Sequence, residues 1–437
     1  MLYYLQNSSS SSSSSNKDNL NKILYKIQKN NFLLKSKPYL IKVAAAVAIF
    51  AIIFGIRQSV PMFFSSINNH TGLGIVAVSL AFACGQLAWG AFQPIAGAIS
   101  DKYGTEKALL IGIFMCVTGT LLIPYATTQF ELIVTIGILS AGGAGFAGNS
   151  VLMSAVNRFV PPGKGGLYAG FVNAGGSIGQ FMMAPIAGWL IVHSGWQNGL
   201  TYLALFCLIT IPLSFLLRGK RKVVTLDPKV SPMPNFRQSI TLAFKTPSYL
   251  MLNAGFFVCG FHVAFIATHM PGIIDLCGLP PTFTGWALAT IGLFNIVGSL
   301  AAGWMTTKIP MKLLLSYIYA ARGLIVILFI FSPKTEITVL IFAATLGLTY
   351  LSTVPPTAGL VAKMFGPQYM GTLFGIVLFT HQIGGFLGAY LGGQVFQTFG
   401  NYNWVWYMDI MLAMFAALIH IPIKEKPVDF VAVNKAA

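Results

Sequence analysis

The sequence predicts an all-α integral membrane protein, with twelve transmembrane helices in two pseudo-symmetric six-helix bundles. Three observations carry that prediction. Of 437 residues, 55% are hydrophobic and only 8% charged, where a soluble domain has about 25% charged residues. Apolar runs of about 18 residues or more, the length that spans a bilayer as a helix, recur between short polar turns. Residues of the second half also repeat those of the first at an offset of 205 positions.

The spans fall at about 43–64, 74–99, 107–125, 130–157, 167–192, 197–217, 248–270, 284–305, 312–331, 335–362, 370–396 and 403–423. They are helical because backbone exposed to lipid must satisfy its own hydrogen bonds. Residues 1–42 form a polar tail, 43–217 the first bundle, 218–246 a linker, 247–423 the second bundle and 424–437 a closing tail. The net charge of +17 does not mark a nucleic-acid binder. With the N-terminus inside, all Lys and Arg except Arg57, Arg322 and Lys334 fall on cytoplasmic segments. This positive-inside bias places both termini in the cytoplasm. The expected location is multi-pass in the plasma membrane, the inner membrane in a bacterium. The five cysteines, at 84, 116, 207, 259 and 277, lie in or beside helices and imply no disulfide framework.

The tail opens with the tract Ser8 to Ser15, which cannot bury a core and is expected to be disordered. Leu20, Ile23, Leu24 and Ile27 follow at helical spacing among Lys17, Lys22, Lys26 and Lys29. They read either as a basic helix on the anionic inner leaflet or as a solvated tail. About forty polar residues precede the first apolar run, and that run is too long for the apolar core of a cleavable signal peptide.

The first span places Arg57 well inside an apolar stretch, FGIRQSVPMFF. A mid-span arginine costs about 2.5–3.5 kcal/mol on insertion scales, so it faces protein or a wet cavity. It reads as an anchor for a substrate carboxylate, which arginine grips bidentately, or as a structural group bonding helix carbonyls. The second span ends in Gly97-Ala98-Ile99-Ser100-Asp101-Lys102-Tyr103-Gly104. This string resembles the loop signature of the major facilitator superfamily, although Glu106 stands where a basic residue is usual. Gly97 would permit close helix packing. Asp101, with Lys102, Gly104 and the cytoplasmic Arg158, would form a latch made in one conformation and released in the other. The same residues also make an ordinary turn.

In the fourth span Gly143-Ala144-Gly145-Phe146-Ala147-Gly148 matches the dinucleotide fingerprint, but no strand or βαβ unit surrounds it. Helix contact explains the small residues better. Asn149 either faces the cavity or bonds a neighbouring helix. Gly142 pairs with Gly347, Arg158 with Lys363, Pro162 with Pro367, Gly179 with Gly384 and Phe181 with Phe386, each 205 residues apart. The linker between the repeats holds Arg218, Lys220, Arg221, Lys222 and prolines 228, 232 and 234.

The strings VPPGKGGLYAG, FFVCGFHVAFIATHMP and GTLFGIVLFTHQIGGFLG are similar to the bacterial branch of the superfamily related to monocarboxylate porters and oxalate/formate exchangers. The likeness spans about residues 43–423. It implies the major facilitator fold, substrate held at midplane between two halves, and transport of small organic anions, commonly with a proton. Monocarboxylate carriers are expected to bear an arginine on the eighth helix; Thr284 to Met305 has none, so Arg57 takes that role or the substrate differs.

Gly260-Phe261-His262 answers Gly55-Ile56-Arg57, and His262 is expected across the cavity from Arg57, handling a proton or bonding substrate. His262 and His269 are seven apart on one face of the seventh span, with Cys259 one turn before His262, but spacing alone does not supply a third ligand and no metal site is expected. His381 and Gln382, where the first repeat has Gly176 and Ser177, are candidates for lining the cavity. Arg322 in the ninth span has one intramembrane carboxylate candidate, Asp409, and a structural ion pair is expected. No enzymatic constellation and no cofactor site emerge. The sequence therefore reads as a secondary transporter of a small organic anion with a proton, expected to be monomeric and to have lipid but no nucleic acid as a partner. The alternatives are a carrier of a neutral metabolite or drug, with Arg57 structural, and a non-transporting membrane sensor.

Overall fold

In the computed structural model the described residues are 39–160, 165–219, 236–366 and 370–428. The serine tract, the Leu20–Ile27 stretch, most of the linker, Pro162 and Pro367 lie outside them. Regular structure among the described residues is helical throughout. The spans are α1 (Tyr39–Thr71), α2 (Ile75–Ser100), α3 (Thr105–Tyr125), α4 (Gln129–Val156), α5 (Gly170–Ser194), α6 (Trp196–Leu216), α7 (Pro247–Leu276), α8 (Phe283–Met305), α9 (Met311–Phe331), α10 (Glu336–Phe365) and α11 (Leu373–Phe399). These 11 are long and apolar enough to cross a membrane. A twelfth helix, α12 (Asn403–His420), is only 18 residues long, and Asn403, Asp409 and His420 dilute its hydropathy. The linker holds a short helix, Phe236–Lys245, at its junction with α7.

The helices cross where side chains vanish. A Cβ at Gly55 of α1 would stand 2.6 Å from the carbonyl oxygen of Gly179 on α5. A Cβ at Gly179 would collide with the carbonyl of Ala51. The repeat reproduces this crossing: Gly260 of α7 lies against the His381 carbonyl of α11, and Gly384 against that of Phe257. Lipid offers apolar side chains no gain over one another, so such backbone approach supplies the contact that holds membrane helices together.

Two spans are broken at matching depth. In α4 regular helix stops at Phe146 and resumes at Asn149. In α10 it stops at Thr349 and resumes at Val354, followed by Pro355 and Pro356. Ser352 and Thr353 are the repeat partners of Ala147 and Gly148. The Leu351 amide freed by the second break donates to Asn295 Oδ1 on α8 at 3.0 Å. Breaks in corresponding spans of two repeats mark the region where transporters bind their cargo.

The halves meet along α2 with α11 and α5 with α8. From the end remote from the linker inward, the contacts are Ser79 against Gly393, Phe64 against His269 with ring centroids 5.7 Å apart, Gln180 Nε2 to the Leu288 carbonyl at 3.2 Å and Asn295 to Ser177 at 2.8 Å. On the linker side, a Cβ at Gly97, Gly170 or Gly375 would meet none of the described residues within 4 Å. The close packing expected at Gly97 is therefore not made among the described residues.

Candidate substrate and proton sites

Arg57 sits in the last turn of the regular helix of α1, just before the tight turn Val60–Phe63 that Pro61 imposes. It is half-buried. Its guanidinium donates to Gln58 Oε1 at 2.9 Å and to Gln86 Oε1 of α2 at 2.7 Å, and lies 4.5 Å over the Trp89 ring. None of these partners carries charge, and no carboxylate among the described residues pairs with it. Its buried Nε has no hydrogen-bond partner among them. Beside it lies a cavity of about 20 Å³ lined by Gln58, Pro61, Gln86, Ser140 and, from the other half, Ala267. That holds about one water, so a carboxylate would enter only as the halves separate further.

Gln382 of α11 is buried and reaches the first half, against Gly90, one turn from Gln86. Its Nε2 bonds His381 Nδ1 at 3.0 Å, while its Oε1 is unpartnered. His381 leans on Phe256, 4.9 Å between ring centroids. Asn149 donates to Asn173 of α5 at 3.3 Å.

His262 departs from expectation. It is only 2% exposed and points into the second bundle, away from Arg57. Its Nε2 lies 3.1 Å from the Asp409 carbonyl oxygen and 3.0 Å from Asp409 Oδ1, and its Nδ1 lies 3.3 Å from Arg322 Nη1. The direct Arg322–Asp409 ion pair is likewise replaced, because the imidazole stands between the two. Arg322 instead gives Nη2 to the Thr349 and Tyr350 carbonyls that the break in α10 leaves free. Close approach at Gly260 sets the rotation of α7, and that rotation carries His262 toward α9 and α12.

At the linker end, Asp101 follows Ser100 in the same helix, which runs on to Tyr103, with its side chain outside the described set. Lys102 is exposed, over Tyr103, and Gly104 takes φ 111° to start α3. Arg158 hydrogen-bonds Thr105 Oγ1. The unusual Glu106 receives the Gly219 amide at 3.4 Å and faces Arg218 at 3.6 Å. The second half inverts these charges: Glu425 receives the Lys312 amide at 2.7 Å and Lys363 Nζ at 3.0 Å.

Sequence reasoning missed Gln58, Gln86, Trp89 and Tyr350. Gln58 and Gln86 carried a signal, as amides inside apolar spans.

Comparison with known proteins agrees with this architecture. A family model described as Major Facilitator Superfamily matches residues 45–389 and 252–435. Monocarboxylate transporter 13 of Bos taurus is 25% identical over 360 residues, covering 81% of this chain and 82% of the relative. The oxalate:formate antiporter of Oxalobacter formigenes is 23% identical over 368 residues, covering 81% and 84%. The crystal structure of a D-xylose-proton symporter superposes with a TM-score of 0.71 at 13% identity, covering 89% of this chain and 100% of that one.

Proposed function

The chain belongs to the Major Facilitator Superfamily, and from that premise we propose that it is a secondary transporter carrying a small organic anion, of the monocarboxylate or dicarboxylate class, together with a proton. The observation that carries the reading is Arg57: a guanidinium at the meeting of the halves, held by neutral partners, with one donor unused beside a cavity. An uncompensated cation there favours an anionic ligand. The names of the relatives support the same class of cargo, since one is a monocarboxylate transporter and another exchanges oxalate and formate.

Transport proceeds by rocking of the halves. The present arrangement, closed at the end remote from the linker and open toward it, is one limb of the cycle; the linker side faces the cytoplasm of the plasma membrane. Gln58, Gln86 and Gln382 complete the anion site, and Asp101, Lys102, Gly104 and Arg158 form the latch of the opposite limb.

The test is a melting-temperature screen of the purified protein over small carboxylates and neutral metabolites, because a ligand that binds only the folded state raises the transition. Carboxylates are expected to stabilise the wild type and not Arg57→Ala. Stabilisation by neutral compounds alone, equal in both proteins, overturns the anion reading.

A further inference from the structure

The cluster buried among α7, α9, α10 and α12 has a feature that a purely structural network does not need. His262 Nε2 lies 3.1 Å from the Asp409 carbonyl oxygen, which can only accept, so Nε2 carries the hydrogen; Asp409 Oδ1 stands 3.0 Å away and makes no hydrogen bond of its own among the described residues. The Nδ1 lone pair is then free to accept, and Arg322 Nη1 donates to it at 3.3 Å. That lone pair can hold the arginine's hydrogen bond or a proton of its own, not both. A protonated Nδ1 would set two N–H donors against each other.

We propose that His262 Nδ1 is the proton-binding atom of the transporter, loaded when Arg322 withdraws from it; this rests on the anion–proton reading above. The proton comes from water on one side of the membrane and forms an N–H bond at Nδ1. Arg322 keeps all its own hydrogens and moves its Nη1 bond elsewhere, toward the Thr349 and Tyr350 carbonyls already held by Nη2. Asp409 then faces the imidazolium and balances it. On release the proton returns to water on the other side, and Arg322 returns to the lone pair.

Six titratable or charged groups face this centre. Cys259 lies one turn earlier on α7, with its Sγ 3.2 Å from Thr353 Oγ1. Tyr319 of α9 lies under the Arg322 guanidinium at 5.4 Å and stacks on His420 of α12 at 5.2 Å. Tyr350 of α10 and His381 of α11 close the other sides. Asp409 is the one carboxylate among the described groups around His262, with Oδ1 3.0 Å from Nε2.

Tyr350 ties the break in α10 to this centre. Its carbonyl receives Arg322 at 3.0 Å, while its hydroxyl donates to the Val263 carbonyl of α7 at 3.0 Å. Tyr350 lies at the break of α10, where the backbone has no helical ladder to hold it.

The experiment uses full-length protein in proteoliposomes with a trapped pH dye, and labelled pyruvate and oxalate as probes. Gradient-driven uptake is compared with exchange at equal pH. In His262→Gln, which keeps a donor toward Asp409 but has no titratable nitrogen, the ratio of gradient-driven uptake to exchange is expected to fall by at least about an order of magnitude. Proton flux should fall with it. Proton flux at the wild-type ratio in His262→Gln overturns the proposal. Should that variant fail to insert, Asp409→Asn serves instead. Loss of the carboxylate disfavours the imidazolium, so the profile of gradient-driven uptake should move to lower pH, and an unmoved profile overturns the proposal. Wild-type uptake without proton flux overturns the proton site alone and leaves the anion reading standing. Absence of saturable uptake of any carboxylate by the wild type overturns both.

Discussion

Arg57 of α1 and Gln86 of α2 meet at 2.7 Å, a charged donor against a neutral amide oxygen. The contact orients the guanidinium without cancelling its charge. Arg57→Lys keeps the charge but loses the planar fork. A charge-assisted hydrogen bond is worth about 1.5–3 kcal/mol, so half-saturation for a carboxylate should rise about tenfold or more. Arg57→Ala should abolish saturable uptake while the protein still reaches the membrane. Unchanged half-saturation in Arg57→Ala would return the chain to the neutral-metabolite reading.

Gly179 and Gly384 occupy equivalent crossings, against the carbonyls of Ala51 and Phe257. Gly179→Ala and Gly384→Ala should each destabilise the fold by about 1–3 kcal/mol, the usual cost of overpacking against backbone. Thermal unfolding in detergent, read beside surface abundance, checks this. Equal melting temperatures for both variants and the wild type would show that the helices separate there at little cost.

Gly170 and Gly375 lie on the linker side, where a Cβ meets none of the described residues within 4 Å. Gly170→Leu and Gly375→Leu should therefore leave stability within about 0.5 kcal/mol, as surface substitutions usually do. Their turnover should drop if the halves must close on that side during transport. Wild-type turnover in both variants would contradict a rocking cycle that seals there.

Arg322 and Asp409 are joined through His262 rather than directly. Neutralising Arg322 to Gln leaves the carbonyls of Thr349 and Tyr350 short of a donor, and an unsatisfied buried acceptor costs about 1–3 kcal/mol. Adding Asp409→Asn should not restore what Arg322→Gln loses. A double-mutant cycle on melting temperature decides the matter. Rescue of the double variant to near wild type would show that direct guanidinium–carboxylate attraction dominates.

At the linker end, Arg158 bonds Thr105, and Glu106 holds the Gly219 amide beside Arg218. Asp101→Asn keeps size and removes charge, so it should slow turnover far more than it weakens substrate binding. Steady-state uptake over a range of substrate concentrations separates the two effects. A fall in affinity with turnover intact would remove Asp101 from the latch.

The membrane spans, the two repeats and the unusual character of Arg57 were legible in the amino-acid order. Hydropathy is a local sum, an offset of 205 between Gly55 and Gly260 or Gly179 and Gly384 is a matter of counting, and a charge in an apolar run stands out without neighbours. The twelfth span was legible too, although Asp409 and His420 thin its apolar signal. What Arg57 and His262 each face was decided only by the tertiary structure. By position in the repeat the two correspond, yet Arg57 lies beside a cavity that Ala267 of the other half helps line, and His262 is enclosed between Arg322 and Asp409. The break in α10 was less plain, since Thr349-Tyr350-Leu351-Ser352-Thr353 lies inside a stretch read as one span and only Pro355 and Pro356 hint at a restart. In lipid every face of a helix can be apolar, so hydropathy does not say which way a side chain turns. That rotation is set by backbone approach at glycines such as Gly260 and by where freed carbonyls find donors, and both depend on helices distant in sequence.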